Sequence, residues 1–244
     1  MMPKIAVAIP AYNAANTIGG VITRTAVYVK PENIFVVDDG STDGTGNIAR
    51  EKGACVLRHM TRKGKGAALH DAVMEIIRQG YGWVITIDSD LQHDPDEIPD
   101  FLSAAEPFEV VVGKRSISPN GMPFHRYVSN SITTWLISLR TGLKIEDSQS
   151  GYRLYHADVL KKIDSHCKYY DYESDLLIKA ALAGFSIGFV PIKTIYNNSK
   201  SSVKVIDILR FIKVYLRSFV IKKKRIVVTA KTQSRKENIR HAAS

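Results

Sequence analysis

The sequence predicts an α/β fold: a Rossmann-like, mostly parallel sheet flanked by helices, with a basic amphipathic helix near the C-terminus. Three observations carry this expectation. Short apolar, β-branched runs at Lys4–Ile9, Ile34–Val37, Cys55–Leu57 and Val84–Ile87 alternate with helical stretches. Polar clusters follow these runs at Pro10–Asn13, Asp38–Asp43 and Asp88–Gln92, and a parallel sheet gathers such strand ends at its carboxyl edge, where ligands bind. The charge is also divided. Of the net +10, residues 200–244 contribute +11 and residues 1–199 contribute −1.

Taken in order, the first run is too short for the apolar region of a signal peptide and reads as a strand. Asn16 or Thr17 is the expected cap of a helix running to about Val27. After the second run, Thr45–Glu51 reads as a helix stopped by Gly53. Arg62–Gly66 leads into a helix whose Leu69, Val73, Ile76 and Ile77 fall on one side. Further strands are expected at Glu109–Arg115 and Ser186–Ile192, the latter at a sheet edge because Pro191 lacks a ladder donor. Helices are expected at Tyr127–Leu139 and Glu173–Ala183, with Gly184 ending the second and Asp147–Arg153 a polar loop between them.

A chain of 244 residues, 45% apolar and 24% charged, suits one large ordered domain and argues against disorder over most of its length. That domain is expected to span 1–200. Cys55 and Cys167 show neither metal nor redox spacing, which is compatible with a reducing compartment. Val203–Ile221 reads as a helix with Lys204, Asp207, Arg210, Lys213 and Arg217 on one side, too charged to span a bilayer. With Lys222–Arg225 after it, a basic segment over 201–225 suits an anionic membrane surface. The competing reading packs its apolar side on the body. Residues 226–244 are expected to be a disordered basic tail. Because the body is nearly neutral, no nucleic-acid partner is expected.

Chemistry centres on Asp88 and Asp90. Two residues apart at a strand end, they share one face in extended geometry. Hard carboxylate ligands there, with Gln92 as a neutral oxygen, suit a divalent cation that also holds phosphate. The alternative is an ordinary polar turn.

Five ordered motifs then weigh against that alternative: IPAYNAANTI, VVDDGSTDGT, RKGKGAAL, DSDLQHDP and DSQSGYR. Together they resemble the inverting family-2 glycosyltransferases of GT-A fold, and among these the dolichyl- or polyprenyl-phosphate mannose and glucose synthases. The resemblance implies that Pro10, Ala11, Tyr12 and Asn13 surround the base and ribose of a nucleotide-sugar. It sets Asp38 and Asp39 nearby, the second against the edge of uracil or guanine, and brings the basic loop of Lys65 and Gly66 toward the nucleotide. Asp88, Ser89 and Asp90 match the D-x-D motif, with Asp90 binding Mg²⁺ or Mn²⁺ and Asp88 and Gln92 assisting. Arg153 would contact the donor diphosphate. Arg115 and Arg126 would hold the phosphate of a lipid acceptor. RKGKG itself lacks P-loop spacing, and Ala14 stands where many relatives carry an acid.

The function implied is transfer of a hexosyl unit from a GDP- or UDP-linked donor to a polyprenyl or dolichyl phosphate. The protein would be cytoplasmic and peripheral on the cytoplasmic membrane face. A rival within the family transfers to a glycan or lipid hydroxyl, and that chemistry needs a general base. Asp147 or Glu146, then Glu173 or Asp175, are the candidates. A non-catalytic sensor of nucleotide-sugars is the reading from another class.

Overall fold

The computed structural model describes residues 4–115, 124–193 and 205–221. Its elements in chain order are β1 (Ile5–Ala11), α1 (Ala15–Thr25), β2 (Ile34–Asp38), α2 (Thr45–Glu51), β3 (Cys55–Arg58), α3 (Lys65–Arg78), β4 (Trp83–Thr86) and α4 (Ile98–Ser103). There follow β5 (Val110–Arg115), α5 (Phe124–Thr141), β6 (Arg153–His156), α6 (Ala157–Lys162), α7 (Asp171–Ala183), β7 (Ile187–Ile192) and α8 (Val205–Ser218). The strands form one sheet in the order β3-β2-β1-β4-β6-β5-β7, with β7 at an edge as expected.

All neighbouring pairs are parallel except those made by β6, which runs against both β4 and β5. Both faces of the sheet are buried. Ala6, Ala8, Val84 and Tyr155 pack toward α3 and α7, while Val7, Ile9, Ile85 and Leu154 pack toward α1, α2 and α4. Alternate residues of the central strands therefore serve opposite cores, which is why β1, β2 and β4 read as continuous apolar runs.

The cap expected for α1 is corrected. Its N-cap position is Ala14, with no side-chain cap of its own. Instead Thr45 Oγ1 accepts from Ala14 N at 2.8 Å, and Asp43 Oδ2 accepts from Ala15 N at 3.0 Å. The orphan amides of α1 are thus satisfied from the loop after β2, tying two strand ends together. Gly184 ends α7 in left-handed geometry at φ 89°, as read from the sequence. α5 is longer than expected at both ends, and the loop expected over Asp147–Arg153 gives way to β6 at Arg153.

In α8, Val214 and Ser218 are buried, Asp207 pairs with Arg210 at 2.8 Å, and the Arg210 guanidinium lies 3.6 Å from the ring centroid of Tyr169. Among the described residues no helix is long and apolar enough to cross a membrane. The expectations for 194–204 and for the 222–244 tail fall outside the described residues.

Candidate active site

Three strand ends meet at the carboxyl edge. β1 pairs with β2 up to Ala11 opposite Asp38, and Ala8 lies opposite Thr86 of β4. The reversed β6 completes the edge. Its first residue, Arg153, lies opposite Thr86, so the loop before it reaches the same place as the acids after β4. Thr86 Oγ1 fixes this by donating to Gly151 O at 2.8 Å.

Asp88 and Asp90 follow β4 with Ser89 half-buried between them. Leu91 takes a positive φ of 60°, rare for a non-glycine residue, and the turn lets Asp90 Oδ1 accept from Gln92 N at 3.0 Å. Lys65 Nζ lies 2.7 Å from Asp88 Oδ1 and 3.1 Å from Glu173 Oε1. Burial alone would raise the Asp88 carboxyl, but Lys65 beside it holds it below the usual range. Asp90 is pushed above that range, by burial first and by the Asp88 charge second. The two acids thus occupy different electrostatic settings, one compensated and one not. His93 lies tilted against Tyr152 with ring centroids 5.5 Å apart, and burial lowers it to about 4, so it is a neutral wall beside Asp88. Asp94 turns away to pair with Arg24 of α1.

Among the described residues no three His, Cys, Asp or Glu side chains converge as a ready metal cluster. That donor set fits Mg²⁺ or Mn²⁺, which are held by one or two carboxylates together with substrate phosphates and need no all-protein cage.

A glycine makes the cluster possible. A Cβ on Gly151 would lie 2.8 Å from Asp88 Oδ2 and 3.0 Å from Glu173 Oε1. Gly151→Ala is expected to shift the Asp88 carboxylate and lower turnover roughly a hundredfold, with thermal unfolding little changed. Unaltered turnover in steady-state assays would show that Asp88 has room to spare. Glu173, expected from the sequence as a possible general base, is therefore part of the cluster. Its sequence signal was its place in the first turn of a helix.

Several residues expected around the nucleotide have other partners. Pro10 and Ala11 are buried within β1. Tyr12 is 40% exposed, with the Arg62 guanidinium 4.0 Å from its ring centroid. Asn13 takes φ 49°, donates its N–H to Ser41 Oγ at 2.9 Å and accepts from Thr42 N at 3.0 Å. Asp38 accepts from Ser41 N, lies 3.6 Å from Arg58, and lines a cavity of about 200 Å³ with Thr42, Asn47 and Arg58.

Asp39 is 3% exposed and accepts from Lys63 N and Gly64 N, each at 2.8 Å, while His59 Nδ1 lies 2.7 Å away. It therefore staples β2 to the basic loop. His59 Nε2 reaches Asp71 at 2.9 Å, a brace that no sequence motif announced. At Gly66 a Cβ would lie 2.6 Å from Tyr169 O, so this glycine admits the backbone before α7.

On the other side of the acids, Arg115 at the end of β5 is held by Asp147. Arg115 Nε donates to Oδ2 at 2.8 Å and Nη2 to Oδ1 at 3.1 Å. Asp147 is fully buried and also accepts from Gln149 N and Ser150 N. Burial would raise its carboxyl, but the Arg115 fork holds it below the usual range. The side chain of Arg126 lies outside the described residues.

Arg153 departs most from expectation. It is fully buried, with Nε donating to Ser150 O at 2.8 Å, Nη1 to Glu173 O at 2.6 Å and Nη2 to Ser148 O at 2.8 Å. A fork occupied by three carbonyls organises the loop.

Comparison with known proteins places this geometry among relatives. The model of a family described as "Glycosyl transferase family 2" matches residues 6–164. An undecaprenyl-phosphate mannosyltransferase of Micrococcus luteus is 31% identical over 201 residues, 78% of this chain and 82% of that protein. A UDP-N-acetylglucosamine–dolichyl-phosphate N-acetylglucosaminyltransferase of Methanococcus voltae is 30% identical over 238 residues, 88% of this chain and 94% of that one. In fold, the chain resembles glucosyl-3-phosphoglycerate synthase of Mycobacterium tuberculosis, crystallised with Mg²⁺ and uridine diphosphate. The TM-score is 0.70 at 23% identity, covering 90% of this chain and 80% of that one.

Proposed function

The chain belongs to glycosyl transferase family 2, is a GT-A glycosyltransferase, and, as we propose from that premise, moves a hexosyl unit from a nucleotide-sugar to a polyprenyl phosphate. The observation that supports this acceptor is the state of the carboxylates. A hydroxyl acceptor needs a general base, whereas a phosphate is already ionised. Asp147 is buried with its oxygens engaged, Glu173 is paired with Lys65, Asp175 with Lys179 at 2.7 Å, and Glu146 with Lys114. Each candidate base is thus committed elsewhere. Arg115, aimed by Asp147, is suited to an anionic acceptor.

Asp88 and Asp90 are the residues that would hold Mg²⁺ or Mn²⁺, which when bound neutralises charge on the departing nucleoside diphosphate. Lys65 keeps Asp88 ionised, and Gly151 keeps the carboxylate in place. The donor is taken to be GDP- or UDP-linked, in keeping with the family to which the chain belongs. α8 and the basic run Lys222–Arg225 are taken to rest on an anionic membrane, with the site on the cytoplasmic face.

The test is a transfer assay with radiolabelled GDP- and UDP-hexoses, Mg²⁺ or Mn²⁺, and polyprenyl phosphate. Label in a mild-acid-labile lipid fraction is expected. Label only in base-stable glycolipid or glycan would transfer the reading to a hydroxyl acceptor. Arg115→Lys is expected to raise KM for the lipid phosphate roughly ten- to a hundredfold, because an ammonium cannot reproduce the fork. KM for the donor should stay within about twofold. An equal rise in both would place Arg115 on the donor instead.

A further inference from the structure

Two helices leave apolar faces in solvent. On α8, Val214 and Ser218 face the body, and Leu209, Ile212 and Leu216 on the opposite side are 56%, 44% and 62% exposed. On α5, Ile132, Trp135 and Leu139 are 53%, 62% and 63% exposed at a spacing that puts them on one stripe. Soluble surfaces carry scattered apolar residues, and two such stripes on adjoining helices are a different matter. The helices are joined: Arg140 of α5 donates to Ser218 O and, at 3.0 Å, to Ile221 O, and its guanidinium lies 4.9 Å from the ring centroid of Phe219, itself 61% exposed.

The same α5 also touches the catalytic loop. Thr134 Oγ1 lies 2.9 Å from Ser148 Oγ, next to the Asp147 that holds Arg115. Thr134 thus faces the acceptor side, and its neighbour Trp135 faces out. Basic residues flank the apolar stripe of α8: Lys213 and Arg217 are exposed on its border, and the sequence continues into Lys222–Arg225. An apolar stripe with a cationic margin is complementary to the acyl–headgroup boundary of an anionic bilayer.

We propose that α5 and α8 together form one membrane seat, in which Trp135, Leu139 and Leu216 enter the interface of an anionic bilayer. α5 is then more than a scaffold for the site. It sets the height of Arg115 above the lipid, so that an acceptor phosphate reaches this guanidinium while its isoprenoid tail stays in the membrane. Only that last consequence rests on the lipid-phosphate reading.

The chain has two tryptophans, and Trp83 lies in β4, so Trp83→Phe leaves Trp135 as the sole reporter. In the full chain, its emission is expected to move to shorter wavelength with vesicles of phosphatidylglycerol and phosphatidylcholine, and to be quenched by bromine-labelled acyl chains. Leu139→Ser with Leu216→Ser should weaken vesicle binding by roughly a hundredfold. Transfer to a short-chain, water-soluble polyprenyl phosphate by that double variant should persist.

No spectral response to vesicles would overturn the seat. A shift that depends on protein concentration without vesicles would mark instead a contact between copies. Protection from an aqueous quencher before vesicles are added would mean that another part of the chain covers Trp135. Binding lost on deleting 222–244 but unaffected by the double variant would leave only an electrostatic tail. Vesicle insertion without transfer to any acceptor would uphold the seat and sink the proposed reaction, so the two fail separately.

Discussion

Asp90→Ala is expected to reduce transfer by about a thousandfold or more, the scale on which loss of a group that stabilises transition-state charge is felt. Asp90 is the uncompensated acid of the pair, pushed up by burial and by Asp88, while Lys65 already neutralises Asp88. A cation entering the cluster gains most from the carboxylate that lacks a partner cation. The variant should fold normally, because the carboxylate accepts from Gln92 N within a local turn and removing it relieves repulsion with Asp88. Circular dichroism and urea unfolding are expected to match the parent, and Mn²⁺ binding in the presence of nucleoside diphosphate should be lost. Full turnover in Asp90→Ala would sink the assignment of the strand-end acids.

β1, β2 and β4 were legible because each is buried on both faces and therefore reads as an uninterrupted apolar run; β3, half-buried at the sheet edge, was legible through its short apolar run Cys55–Leu57. The acids after β4 were legible for a related reason: the parallel sheet turns the end of each run into part of one edge. β6 was not legible. Only Leu154 and Tyr155 are apolar in its span, and its reversed direction is set by pairing with Thr86 of β4 and Val112 of β5, contacts distant in sequence. The cap of α1 failed for the same reason, since Asp43 and Thr45 supply it from the next strand's loop. Asn16 and Thr17 had the right chemistry and the wrong position.

Side-chain commitments were harder still. Asp147 had the composition of a base and acts as a buried anchor for Arg115. Lys65 had the look of a phosphate ligand and sits between Asp88 and Glu173. In α8 the periodicity of charge was visible, but which stripe meets the body depended on α7 and α5. Val214 and Ser218 are buried and Phe211 packs against the core, while Leu209 and Leu216 were left outside.

Arg153→Met is expected to destabilise the protein by about 3–5 kcal/mol, the range for breaking a buried, hydrogen-bonded charge site. The methionine fills much of the volume but leaves the carbonyls of Ser148, Ser150 and Glu173 without their donor. Those carbonyls belong to the loop that carries Asp147 and Gly151 and to the first turn of α7, so the loss falls where the site is assembled. Arg153→Lys should recover little, because one ammonium cannot serve three carbonyls that the planar fork meets from separate nitrogens. Urea unfolding at constant m-value gives the stability change. The family resemblance supplies the contrasting outcome. If Arg153 instead met the donor diphosphate, Arg153→Met would unfold like the parent and show only weakened donor binding by calorimetry. A full loss of stability with near-normal donor affinity in the remaining folded protein would establish that this arginine acts through the loop it holds, by keeping Gly151 beneath Asp88 and Asp147 behind Arg115.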